Sequence, residues 1–258
     1  MVFSQVMGEG SPVILIHGFP LNHSMWNNFA DVIARHHKVY TPDLPGFGQS
    51  PILPSPFSID QVADEMIRWI DHHHIVNSVI IGHSLGGYVT LAMVKKRPSL
   101  FASFGLFHST AEPDGQEKKE SRTKAVDFIK KNGAVVFTTN FIEPLFADPK
   151  DPAVPVVKAI ARQSSEPAVI GYTLAMRDRE SRIDVLQSFD KPILFIAGAK
   201  DRGIPAEAIE RQASVCRHPE LHILPDAAHM SMFEQGTETA AIIGEFITPD
   251  TANHTLPG

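Results

Sequence analysis

Short apolar runs that alternate with helix-length amphipathic segments constrain this chain more than any other feature. "PVILIHG" (residues 12 to 18), "SVIIG" (78 to 82), "FASFGLFHS" (101 to 109), "PILFIAG" (192 to 198) and "LHILP" (221 to 225) each read as a short strand, most of them as one buried on both faces. "HKVYTPDLPGFG" (37 to 48) gives a further strand that ends in a Pro/Gly turn. Helical spacing fills the gaps. Trp26 to Arg35 reads as one helix, and Ser58 is placed to cap another in which Ile59, Val62, Met66, Trp69 and Ile70 recur at three- and four-residue steps. "LGGYVTLAMVKKRP" reads as a third, with Lys95, Lys96 and Arg97 in its last turn and Pro98 beyond. Strand and helix in alternation imply an α/β fold: a mostly parallel sheet with right-handed crossovers and helices on its faces.

The rhythm breaks between Glu112 and Leu186, where helical segments follow one another and no strand pattern appears. "DGQEKKESRTKAVDFIKKNG" reads as an amphipathic helix stopped by Gly133. The organisation expected is an α/β core of residues 1–111 and 187–258, interrupted by a helical insert over 112–186. A chain of 258 residues, 43% hydrophobic and 20% charged, suits one large domain with an insert of that size. The tail "TPDTANHTLPG" has no core-forming pattern and is expected to lie loose.

Bulk properties exclude several partners. A formal charge of −6 gives no electrostatic reason to bind nucleic acid, and no Lys/Arg block suggests an anionic membrane. No apolar run approaches a membrane span, and the start "MVFSQVMGEGSP" lacks the pattern of a signal peptide. With Cys216 alone there is no internal disulfide, which fits a reducing compartment. A soluble, cytoplasmic protein acting on a small molecule is the expectation; oligomeric state is left open.

Chemistry concentrates at Ser84. Gly82-His83-Ser84-Leu85-Gly86 follows the "SVII" strand and precedes a helix, the context of a nucleophile elbow. Such a turn holds a serine in a strained conformation above the sheet, and glycines two residues either side remove the clashes. Leu85 opens the helix, so its N–H has no ladder partner and is free to bind a developing oxyanion. A serine hydroxyl barely ionises near neutral pH; it needs a base, and the base needs an orienting acid.

These residues resemble the α/β-hydrolase fold family over nearly the whole chain. In that family the order is serine, acid, histidine. Asp201 of "GAKDRGIP" sits where the family's acid sits, and His229 of "LPDAAHMSMFEQ" matches its base. Asp226 is expected to shape its loop, and Glu112 is a distant reserve for the acid. "HGFP" (17 to 20) resembles the oxyanion loop, which implies that the Phe19 N–H joins that of Leu85. "DLPGFGQS" (43 to 50) also matches and is read as a tight structural turn around Asp43. The insert resembles the family's helical cap. Its Phe137, Phe141, Leu145, Phe146 and Met176, with Phe19, Leu21, His108 and Met230 of the core, are the candidate pocket residues. Of thirteen histidines, the runs His36-His37 and His72-His73-His74 are read as solvated helix ends; no metal spacing supports a ligand role, and no cofactor is expected.

Epoxide hydrolases and haloalkane dehalogenases resemble this chain too, but they use an aspartate nucleophile where Ser84 stands, and the insert offers only Tyr172. A serine nucleophile implies acyl transfer through an acyl-enzyme, and an apolar pocket fits a small uncharged ester or thioester. The same triad serves lactonases, carbon–carbon bond hydrolases, proline aminopeptidases and cofactor-free perhydrolases. A proline aminopeptidase needs cap carboxylates, for which Glu112, Glu117, Glu120 and Glu143 are available. A slow-turnover small-molecule receptor is the non-enzymatic alternative.

Overall fold

The structure is a computed structural model and describes residues 1–248; the loose-tail expectation therefore falls, apart from Thr248, outside the described residues. A seven-stranded sheet organises the chain. Its strands are β1 (Ser4–Met7), β2 (Pro12–Ile16), β3 (Lys38–Pro42), β4 (Ser78–His83), β5 (Phe101–Phe107), β6 (Ile193–Gly198) and β7 (Pro219–Leu224), in the spatial order β1-β3-β2-β4-β5-β6-β7. Among the described residues only β1 runs antiparallel, against β3; every other neighbour pair is parallel.

Strand periodicity divides the core. Val13 and Leu15 of β2 face one side of the sheet, with Ile81 of β4 and Leu194 and Ile196 of β6. Ile14 and Ile16 face the other, with Ile80, Phe104 and Phe195. Helices α1 (Asn27–Ile33), α10 (Ser231–Glu234) and α11 (Gly236–Ile247) cover the first face. On the second lie α2 (Ile59–His72), α3 (Leu85–Lys96), α8 (Ile183–Ser188) and α9 (Ala206–Ala213). Ser58 caps α2 in a reciprocal capping box with Gln61, and all five apolar positions read from its spacing are buried. Neither β1 nor α9 was anticipated from the sequence. His37 is buried at the entry to β3 instead of solvated, whereas His36 and the 72–74 run are exposed. Among the described residues no helix is long and apolar enough to cross a membrane.

Between β5 and β6 the chain is helical. α4 (Gln116–Asn132) stops at Gly133, whose φ of +86° is open to glycine. α5 (Ala134–Ile142), α6 (Val154–Ala161) and α7 (Glu166–Arg177) follow, before α8 leads back to the sheet. α7 is fastened to the core by Tyr172, fully buried, which stacks on Phe47 at 4.7 Å and donates its hydroxyl to the Pro45 carbonyl at 2.9 Å. Tyr172→Phe keeps the ring but orphans a buried carbonyl. The expected loss is about 1–3 kcal/mol, read as a lower denaturation midpoint with an unchanged slope.

Candidate active site

The turn from β4 into α3 bends sharply at Ser84, which adopts φ +51° and ψ −114°. For a residue with a Cβ this is strained backbone, and three hydrogen bonds hold it there. The Ser84 N–H donates to the Phe107 carbonyl at 2.9 Å; its carbonyl accepts from the Gly87 N–H at 2.9 Å and from the Ser109 hydroxyl at 2.7 Å. Ser84 occupies the N-cap of α3, so the first N–H groups of that helix, Leu85's included, lack acceptors in the helix and carry its positive dipole end.

Two loops at the carboxyl ends of β6 and β7 carry Asp201 and His229. His229 Nδ1 lies 2.6 Å from Asp201 Oδ2. The other oxygen, Oδ1, accepts the backbone N–H groups of Gly203 at 2.8 Å and Ile204 at 3.1 Å. Burial works against a charged Asp201, but the His229 imidazole, its hydrogen bond and the loop N–H together hold the carboxyl well below the usual carboxylate range. Neither rival carboxylate reaches the site: Asp226 is exposed and pairs with Lys200 at 2.9 Å, and Glu112 is exposed.

Two further histidines support the arrangement from below. His83 Nε2 donates to the His229 carbonyl at 2.9 Å, which fixes the loop. His108 Nε2 is 2.8 Å from the Ser231 hydroxyl, and its Nδ1 stands 3.9 Å from Asp201 Oδ2. Burial, then the neighbouring His229, lowers His108 to about 3, so it is neutral at physiological pH. His17, lowered to about 4 chiefly by burial, is a neutral brace: Nδ1 donates to the Gly18 carbonyl and Nε2 accepts from the Leu44 N–H. Asp43 accepts from the N–H groups of His23 and Gln49, which closes the 43–50 turn.

A cavity of about 300 Å³ opens on this corner, and both Ser84 and His229 line it. Phe19, Phe137, Phe141, Leu145 and Met176 give it an apolar wall, with Phe19 edge-on to Phe141 at 5.5 Å. The other pocket expectations need correction. Leu21 stands two residues after Phe19 and Met230 directly follows His229, yet their side chains pack in the sheet core. Phe146 packs against Phe233 in the same cluster, and His108 is held beneath the site by Ser231. Tyr88, Lys118, Arg122 and Thr173 line the cavity without having been anticipated. Nothing in the helix spacing of α3 and α7 marked Tyr88 and Thr173 as lining residues, and the two cations carried no signal beyond an amphipathic helix. None of Glu112, Glu117, Glu120 and Glu143 lines the cavity, and Glu143 is paired with Lys158 at 2.7 Å. Among the described residues no group of three metal-ligating side chains forms.

The sheet order, the bent serine and the strand-end loops are features of a hydrolase fold, and comparison with known proteins agrees. A family model described as the alpha/beta hydrolase fold matches residues 11–235, and the chain belongs to that family. The chain is 26% identical to a pimeloyl-[acyl-carrier protein] methyl ester esterase of Methylococcus capsulatus, over 95% of this chain and 98% of that one. It is 28% identical to a dihydrolipoyllysine-residue acetyltransferase component of an acetoin cleaving system from Pseudomonas putida; that match takes in 88% of this chain but only 61% of the other protein's length. Among solved structures, a thermophilic esterase from Thermogutta terrifontis superposes with a TM-score of 0.90 at 27% identity, covering 95% of this chain and 92% of that one.

Proposed function

We propose that the protein is a serine hydrolase of small carboxylic esters, with Ser84 as nucleophile, His229 as base and acid, and Asp201 as the orienting carboxylate. The observation that carries this reading is the pairing of His229 with Asp201 at 2.6 Å beside a cavity that the strained Ser84 also lines. Relatives named as esterases support it.

In the reaction, His229 Nε2 takes the Ser84 hydroxyl proton as Oγ attacks the ester carbonyl. The carbonyl oxygen becomes an oxyanion, held by the backbone N–H groups of Phe19 and Leu85. Collapse breaks the bond to the alcohol, which leaves with the proton from His229. Water then attacks the acyl-enzyme; His229 takes a proton from it and returns that proton to Ser84, which releases the acid. Asp201 stays ionised throughout and keeps Nδ1 protonated, so Nε2 is the free base. In this reading α4 to α7 act as a cap, and their Phe137, Phe141 and Met176 form the apolar roof of the pocket. A lactone, as a cyclic ester, would follow the same steps. An amine-directed peptidase lacks support, because the cap carboxylates point elsewhere.

The test is turnover of p-nitrophenyl acetate and butyrate by the wild type and Ser84→Ala, with fluorophosphonate labelling of both. The expected result is many turnovers and labelling in the wild type, with a loss of at least about 10³-fold and no labelling in the variant. Equal rates in the two proteins would overturn the reading.

A further inference from the structure

Among the described residues, the cavity wall carries two cationic side chains and no carboxylate: Lys118 and Arg122, one turn apart on α4. Lys118 is exposed and donates to the Gly203 carbonyl at 3.3 Å, and among the described residues it makes no ion pair. Arg122 pairs through Nε with buried Asp114, but that carboxylate is shared with Arg179, whose Nη1 is 2.6 Å away. Two guanidiniums on one carboxylate leave a net positive charge. The Arg179 guanidinium also lies 4.0 Å from the ring centre of Tyr88, another lining residue.

Two contrasts make this local charge informative. The protein as a whole carries a formal charge of −6, so a positive cavity rim runs against its general field. Lys118 stands in the first turn of α4, where the helix dipole disfavours a cation. A lysine there is unfavourable for the helix and favourable for an anion approaching Ser84.

Resting on the hydrolase reading above, we infer that the ester this site takes carries an anionic group, a carboxylate or phosphate, which Lys118 and the Arg122 cluster hold while the reacting carbonyl sits at Ser84. The apolar wall then accommodates the carbon chain that separates anion from ester. Lys118 and Arg122 are binding residues in this scheme, and the chemistry stays with Ser84 and His229.

The experiment compares matched substrates. Monomethyl esters of succinic, glutaric and adipic acids are set against methyl butanoate, pentanoate and hexanoate, which places the anion on the acyl side. Acetyl esters of ω-hydroxy acids against those of plain alcohols place it on the leaving side, and methyl 4-phosphonobutanoate replaces carboxylate by phosphonate. In at least one series the anionic member is expected to have kcat/KM at least about tenfold above its neutral match, with that advantage shrinking as salt is raised. Lys118→Glu should reduce the anionic-to-neutral ratio at least about tenfold. It favours the α4 dipole, so the drop cannot come from a weakened helix. Ratios near one in every series, or a wild-type preference that Lys118→Glu leaves intact, would overturn the inference while cleavage of the neutral esters left the hydrolase reading standing. Failure of every ester together with no fluorophosphonate label on Ser84 would instead bring down that underlying reading, and this inference with it.

Discussion

Asp201→Asn is expected to lower kcat on short esters by about 10⁴-fold, through the imidazole and not through unfolding. In the wild type Asp201 Oδ2 accepts from His229 Nδ1 at 2.6 Å, and in the proposed mechanism this leaves Nε2 free as the base. An asparagine keeps the shape and, with its carbonyl oxygen toward Gly203 and Ile204, keeps both backbone hydrogen bonds. Its amide nitrogen then faces Nδ1 as a donor and forces the proton onto Nε2, where it blocks the base. The same change alters the acid limb of stability. The folded-state pKa of Asp201 is depressed, so the ionised carboxylate contributes stability that is fully present above the ordinary carboxylate value and is lost as pH falls through the lower folded value. Asp201→Asn should therefore unfold with a shallower pH dependence below about pH 4 than the wild type. Steady-state kinetics and thermal melts across that range check both parts; a kcat within tenfold of wild type would remove Asp201 from the orienting role.

Much of the fold was legible because the strands that position the site are buried on both faces. β2, β4, β5 and β6 read as unbroken apolar runs, and their order around a parallel sheet follows from the helices between them. β1 was not legible. Ser4–Met7 is an edge strand, hydrogen-bonded on one side alone and only partly buried, so its residues carry no continuous apolar signal. α9 hides its face with Ile209 and Ala213, too few positions in eight residues to announce a helix. At the candidate site, the resemblance to the family's chain order pointed to Ser84, Asp201 and His229, and the structure places all three at the carboxyl ends of strands, with His229 on Asp201 and both Ser84 and His229 at one cavity. The pocket was not legible. Met230 follows His229 directly, yet one side chain lines the cavity and the next enters the core, a choice made by loop conformation. Lys118 and Arg122 looked like the wet face of α4, and only the packing of that helix against α7 and α5 brings them to the cavity.

Gly86→Ala is expected to disable the site and weaken the protein together, because the elbow tolerates no methyl group at that position. A Cβ on Gly86 would lie 2.4 Å from the Ile16 carbonyl oxygen and 2.8 Å from that of His17, both backbone atoms of β2 and its loop. Neither atom belongs to a side chain that can rotate away. The clash must be relieved by moving α3 off the sheet, and with it Ser84 and the Leu85 N–H, relative to the Phe19 N–H on the β2 loop. A displacement near 1 Å between those groups is enough to cost about 10²-fold in kcat/KM. The strain itself should remove roughly 1–3 kcal/mol, a fall in Tm of about 2–12 °C for a chain of this size. Gly244→Ala supplies the contrast. That glycine lies inside α11 and an added Cβ meets nothing within 4 Å, so the same substitution should stabilise by about 0.5–1 kcal/mol and leave turnover unaltered. Opposite signs for one chemical change at two glycines would trace the loss at Gly86 to close approach in the elbow; matching small effects would mean that the elbow has room to spare and that its glycines are not what holds Ser84 in place.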